Sequence, residues 1–287
     1  MDAAAVPDYG LIDRAGAAAS IFYPRPDHSR PPPGAEDLDI EVASGVRLGA
    51  RLYTRDRSLP TVLYWHGNGE VASDYDGFAD LYHEAGLNLL VVDFRGYGRS
   101  SGSPTFEALV ADGPAATTVL QALLDEGGYE RRRYLMGRSL GSHPALEIAA
   151  RQADGLAGLI IESGAANMRR MAARAGGAVD AAAAAVLVEA HDAKIRSIRL
   201  PVLILHGEWD ELVPLQTAEL LYELLADTER KLVVIPGAGH NDIAWVGREQ
   251  YFAEIEAFTR AGPHPLAPSP DSRGRGGTSR IQPDRAG

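Results

Sequence analysis

Cysteine is absent from this 287-residue chain. Disulfides, thiolate metal sites and a cysteine nucleophile are thereby excluded. Long apolar runs are missing too. None approaches the roughly 18 residues that a transmembrane helix needs, so no stable membrane insertion is expected. Met1 to Ser20 has neither a basic n-region nor a sustained apolar h-region. That argues against a secretory signal and makes the cytoplasm the expected location. Positive charge is in deficit: 28 Lys and Arg stand against 39 Asp and Glu, a formal net charge of −11. Nucleic acid and anionic membrane surfaces both call for basic patches, so neither is expected as a partner.

What is present is an ordinary globular mix, 45% hydrophobic and 23% charged. A chain of this length buries roughly three quarters of its unfolded surface, enough for one large α/β domain. Residues 1–37 read as an N-terminal leader, with Ile21-Phe22-Tyr23-Pro24 as a short strand or apolar plug and Pro31, Pro32 and Pro33 in an extended loop. Leu38–Val42 and Val46–Tyr53 alternate apolar and polar residues around Ser44-Gly45, the pattern of a half-exposed β-hairpin. From Pro60 onward the strands change character. Thr61–Trp65, Leu87–Val92, Tyr134–Met136, Leu156–Ile161, Val202–Leu205 and Leu232–Ile235 are short, nearly continuous apolar runs. Helical patterns lie between them, over Tyr75–Ala85, Phe106–Leu124, Pro144–Arg151, Leu215–Leu225 and Arg248–Thr259. This alternation predicts an α/β fold with a mostly parallel central sheet and helices on both faces.

The domain is expected over 38–261. Within it, 163–199 interrupts the alternation and reads either as a small cap above the sheet or as a further helix of the main layer. Residues 262–287 turn to Pro, Gly, Ser and Arg, a composition expected of a disordered tail.

Gly137-Arg138-Ser139-Leu140-Gly141 joins an apolar strand to a helical pattern. A serine on such an elbow has unfavourable backbone angles, so small flanking residues are needed, and its hydroxyl projects above the sheet. A serine hydroxyl is a poor nucleophile until a base takes its proton, and the base needs an acid to hold its tautomer. Later strand ends supply both. Asp210 follows Val202–Leu205, and His240 follows Leu232–Ile235 just after Gly237 and Gly239, which free its loop. Of the other histidines, His66 and His206 directly follow buried strands, where a structural hydrogen bond is the commoner role. His143, one turn beyond Ser139, is placed on the rim, and His191 is expected to be solvated. An oxyanion needs two amides, for which the backbone N–H groups of Leu140 and of Asn68, in His66-Gly67-Asn68-Gly69, are the candidates. Trp65, Trp209 and Trp245 adjoin these loops, either lining an acyl pocket or packing as shell. Arg138 joins Trp65 and Trp209 as a candidate pocket residue.

From about Leu38 to Thr259 the chain resembles serine hydrolases of the α/β-hydrolase superfamily. Leu63–Gly69, Val91–Ser100 and Pro201–Pro214 resemble its small-cap esterase, thioesterase and monoacylglycerol-lipase-like subgroup. The resemblance implies Ser139 as nucleophile, Asp210 as acid, His240 as base and the Asn68 and Leu140 amides as oxyanion hole. Arg138 stands where the family more often has His or Gln. The activity implied is hydrolysis of a small-molecule acyl ester or thioester with no cofactor. The same triad would also serve an aminopeptidase, an amidase or a C–C hydrolase, and a hydrolase-like binding protein with an inert site is the remaining alternative.

Overall fold

The computed structural model describes residues 6–16, 18–164, 167–174 and 179–261. In chain order its elements begin with α1 (Gly10–Arg14), α2 (Ala18–Ile21), β1 (Ala35–Ala43), β2 (Val46–Tyr53), β3 (Thr61–Trp65), α3 (Ala79–Glu84) and β4 (Asn88–Val92). Next come α4 (Phe106–Glu126), β5 (Arg133–Arg138), α5 (Ser142–Arg151), β6 (Leu156–Glu162), α6 (Met168–Arg174) and α7 (Ala181–Arg196). The last are β7 (Val202–Gly207), α8 (Gln216–Leu224), β8 (Arg230–Ile235), α9 (Ile243–Val246) and α10 (Arg248–Ala261).

The strands form one eight-stranded sheet in the order β1-β2-β4-β3-β5-β6-β7-β8. β1 and β2 pair antiparallel, and β2 runs antiparallel to β4. Every pairing from β4 onward is parallel. All residues of β3, β4, β5, β6 and β7 are buried, which is why each carries a short, nearly continuous apolar run. Alternate residues feed two cores. Leu63, Trp65 and Leu135 point into one, with side chains of α4, α5, α7 and α8. Val62, Tyr64, Tyr134 and Met136 point into the other, with side chains of α3 and α10.

Some boundaries differ from expectation. β1 opens at Ala35 instead of Leu38, because Ala35 pairs with Tyr53 and so uses the full length of β2. The helix expected over Tyr75–Ala85 starts only at Ala79, after a 3₁₀ turn over Ala72–Tyr75 and Gly77. The segment between β6 and β7 divides in two: α7 packs on α5 and α8, and α6 packs on α7. Residues 262–287, expected as a tail, lie outside the described residues.

The leader is part of the fold. Tyr9, Ile12, Ile21 and Phe22 are buried in the first core. Asp13 also caps a helix far along the chain, its carboxylate accepting from the Phe106 amide at 2.7 Å and the Glu107 amide at 2.9 Å. Thr105 Oγ1 accepts from Ala108 N at 3.0 Å. Together these satisfy three of the orphan N–H groups at the start of α4 and place negative charge at its positive end.

Candidate active site

β5 ends at Arg138, and Ser139 follows with φ 49°. That is the left-handed region, which costs a non-glycine residue on the order of 1–3 kcal/mol unless the surroundings enforce it. Close packing enforces it. A Cβ on Gly137 would lie 2.5 Å from Gly141 O and 2.7 Å from Ala145 Cβ, and one on Gly141 would lie 2.1 Å from Trp65 O. Both glycines are therefore demanded by approach distance: the elbow presses onto the end of β3 with no room for a side chain.

Because β3, β5, β7 and β8 are parallel, their carboxyl ends share one edge of the sheet, and the predicted site residues meet there. Ser139 Oγ lies 2.9 Å from His240 Nε2, and His240 Nδ1 lies 2.7 Å from Asp210 Oδ2. With the proton on Nδ1, the imidazole donates to the carboxylate and Nε2 accepts from the serine hydroxyl. Asp210 Oδ1 accepts the Val213 amide at 2.7 Å. Burial alone would raise the Asp210 carboxyl, but hydrogen bonds from His240 and Val213 outweigh it and hold that carboxyl below its ordinary value. All three side chains are largely buried.

His206 and His66 sit beneath the loops, as expected of them. His206 Nε2 donates to Val213 O at 2.8 Å, and burial pulls its pKa down. His66 Nδ1 donates to Gly67 O at 2.7 Å. Asn68 is anchored through its side chain: Oδ1 accepts from Tyr97 Oη at 2.7 Å and Tyr23 N at 3.1 Å, and Nδ2 donates to Ile21 O. Its backbone N–H has no partner among the described residues.

A cavity of about 390 Å³ opens beside the site, lined by Tyr64, Tyr75, Phe78, Arg138, Asn241 and Trp245 among others. A second, about 690 Å³, lies between α6 and α7 against Ala172, Ala184 and Val188. The three candidate pocket residues part ways here. Arg138 lines the first cavity. Trp65 lines neither, because as the last residue of β3 it points into the first core and stacks on Phe94 with ring centroids 6.1 Å apart. Trp209 is 68% exposed beside Asp210 and is also absent from both walls. His143 is no rim residue: it is fully buried against the Phe106 ring, 4.8 Å between centroids. His191, expected in solvent, is buried and bonded through Nδ1 to Tyr9 Oη at 2.8 Å.

Two acidic residues next to the site escaped the sequence reading. Glu70 and Glu162 both pair with Arg138. A carboxylate at the end of the buried run Leu156–Ile161 was the available signal for Glu162. Among the described residues no group of three or more His, Asp or Glu side chains could hold a metal ion. None of their helices is long and apolar enough to cross a membrane.

Comparison with known proteins agrees with this fold. Residues 57–192 match the family model of serine aminopeptidases, S33. The chain is 32% identical over 233 residues to an uncharacterized Mycobacterium tuberculosis protein, covering 77% of this chain and 79% of that one. It is 29% identical over 232 residues to protein bem46 of Schizosaccharomyces pombe, covering 78% and 76% respectively. Among solved structures, a Pyrococcus furiosus esterase superposes with TM-score 0.66 at 18% identity, over 84% of this chain and all of that one.

Proposed function

Since the chain belongs to the α/β-hydrolase superfamily, we propose that it is a serine hydrolase of small-molecule carboxylic esters or thioesters. The observation that carries this reading is the unbroken chain of contacts Ser139 Oγ–His240 Nε2 and His240 Nδ1–Asp210 Oδ2, at 2.9 and 2.7 Å. His240 takes the hydroxyl proton as Ser139 Oγ attacks the acyl carbonyl. Asp210 steadies the imidazolium that results. The N–H groups of Asn68 and Leu140 receive the oxyanion, each such donor being worth about 3 kcal/mol. His240 then returns the proton to the leaving alkoxide or thiolate. Water, deprotonated by the same base, attacks the acyl-enzyme and releases the acid. α6 and the exposed half of α7 serve as the small cap, and the cavity between them, largely apolar with Arg169 and Glu189 among its lining, suits an acyl chain.

A fluorophosphonate probe tests the reading directly. The full chain is expected to form an adduct on Ser139, and Ser139→Ala is expected to abolish labelling and lower kcat on p-nitrophenyl esters by roughly 10⁴–10⁶-fold. A folded wild-type chain that neither labels nor turns over would overturn it and favour an inert binding protein. The match to serine aminopeptidases favours one second reading, amide or peptide cleavage by the same triad. Rates on matched ester, thioester and amide substrates separate the two.

A further inference from the structure

Arg138 has no part in the proton relay, yet it has the most connected side chain near it. Its Nε donates to Glu162 Oε1 at 3.1 Å, one terminal nitrogen donates to Glu70 Oε1, and the other donates to His240 O at 3.1 Å and Asn241 Oδ1 at 3.0 Å. Those bonds take up four of the five guanidinium N–H groups. The two carboxylates are held in turn. Glu70 Oε2 accepts the Gly67 amide and Tyr75 Oη, both at 2.8 Å. Glu162 Oε2 accepts Tyr251 Oη at 2.7 Å and Tyr64 Oη at 3.3 Å. Burial works against the Arg138 charge, but Glu70 and Glu162 outweigh it and raise the guanidinium pKa further.

We infer that Arg138 is a positioning residue that sets the nucleophile, the base and the oxyanion loop in register. The connections are direct. The Arg138 backbone precedes Ser139, so the guanidinium is tied to the elbow. Its bond to the His240 carbonyl fixes the base loop at the residue that carries the imidazole. Through Glu70 it reaches the Gly67 amide, one residue from Asn68. One planar fork thus spans three loops that follow three different strands. Lysine, a single point of charge, has no fork to bridge both carboxylates and a carbonyl. An uncharged residue would leave Glu162 buried and Glu70 half-buried without their counter-ion. With four of its donors turned to protein groups, Arg138 lines the cavity without being free to grip a substrate.

The inference rests on the serine-hydrolase reading, and its test separates the two. Arg138→Lys, Arg138→Met, Glu70→Gln and the double variant Arg138→Met/Glu70→Gln are made in the full chain. Steady-state hydrolysis of p-nitrophenyl acetate, fluorophosphonate labelling rate and thermal unfolding are then measured. Misplacing catalytic groups by about 1 Å costs on the order of 10²-fold, so kcat and labelling rate are expected to fall by that factor in both Arg138 variants. KM should stay within about twofold, since no substrate contact is removed. Glu70→Gln should lose less, and the double variant no more than Arg138→Met alone, the non-additivity of one network. If Arg138→Met does not fold, a fall in kcat at constant KM in Arg138→Lys and Glu70→Gln carries the same conclusion. A rise in KM at unchanged kcat would make Arg138 a substrate contact, and wild-type-like activity or additive losses would remove the network role. Either overturns the inference while leaving the triad standing. A wild-type chain that neither labels nor hydrolyses would remove the hydrolase reading and this one with it.

Discussion

His143 is expected to make this protein acid-labile in a way that one substitution removes. It sits in the first turn of α5 with zero exposure, and both ring nitrogens lack a hydrogen-bond partner among the described residues. Phe106 lies against it at 4.8 Å and the His191 ring at 6.0 Å. Nearby, Lys194 Nζ bonds to Glu147 at 2.9 Å and to Tyr9 Oη at 2.6 Å. Burial, reinforced by the Lys194 charge, pushes the His143 pKa down from 6.5 to about 3. Between pH 6.5 and 3 the unfolded chain binds a proton at this histidine and the folded chain does not, so stability falls as pH falls through that window. Each pH unit below about 6.5 costs about 1.4 kcal/mol, so about 2 kcal/mol is lost by pH 5, and no further loss occurs below pH 3. His143→Leu removes the titration and keeps a side chain of similar size. Urea unfolding of wild type and variant from pH 8 to pH 4 measures it, since every other titrating group is common to both. The variant's stability relative to wild type should rise by about 1.4 kcal/mol per pH unit as pH falls below 6.5, a difference in slope of about one proton. Parallel curves would refute the assignment of a buried neutral imidazole.

Gly141→Ala should cost activity even though φ there is ordinary, because the new Cβ meets the Trp65 carbonyl at 2.1 Å. A displaced elbow predicts a kcat loss on the order of 10²-fold, and a variant with wild-type kcat would refute the close approach. Ile12→Ala should lower stability by about 2–5 kcal/mol in urea titration, since the leader residue is fully buried in the first core. A change below about 0.5 kcal/mol, typical of surface positions, would mean that the leader does not pack.

What was legible in the chain depended on whether the cause was local. The central strands announced themselves because burial on both faces demands unbroken apolar runs, and Thr61–Trp65 and Val202–Leu205 are such runs. The order Ser139, Asp210, His240 was readable because parallel strands bring their carboxyl ends to one edge, so distance in sequence does not hide proximity there. His143 was misplaced for the opposite reason. Its neighbours in sequence put it on an elbow helix near the rim, whereas Phe106 and the His191 ring of α7, both distant in sequence, pack against it. Trp65 follows the same logic: next to a motif loop in sequence, it is directed by strand alternation into the core. The apolar run Ile21-Phe22-Tyr23 suggests a plug, but Asp13 capping α4 across more than ninety positions leaves no local trace.

These nonlocal contacts bear on how Ser139 keeps its strained backbone. A residue at φ 49° relaxes unless its neighbours leave it nowhere to go. Below, Gly137 and Gly141 clamp the elbow between α5 and β3. On one side, Arg138 ties it to the His240 loop. On the other, the leader holds Asn68 by its side chain through Ile21 O and Tyr23 N, fixing the loop whose Asn68 amide meets no acceptor among the described residues. The leader therefore holds, through Asn68, the same loop that Arg138 reaches through Glu70 and the Gly67 amide. Loosening it at Phe22, which is buried in the first core beside Tyr23, should lower kcat along with stability, whereas a mere surface plug would lower stability alone.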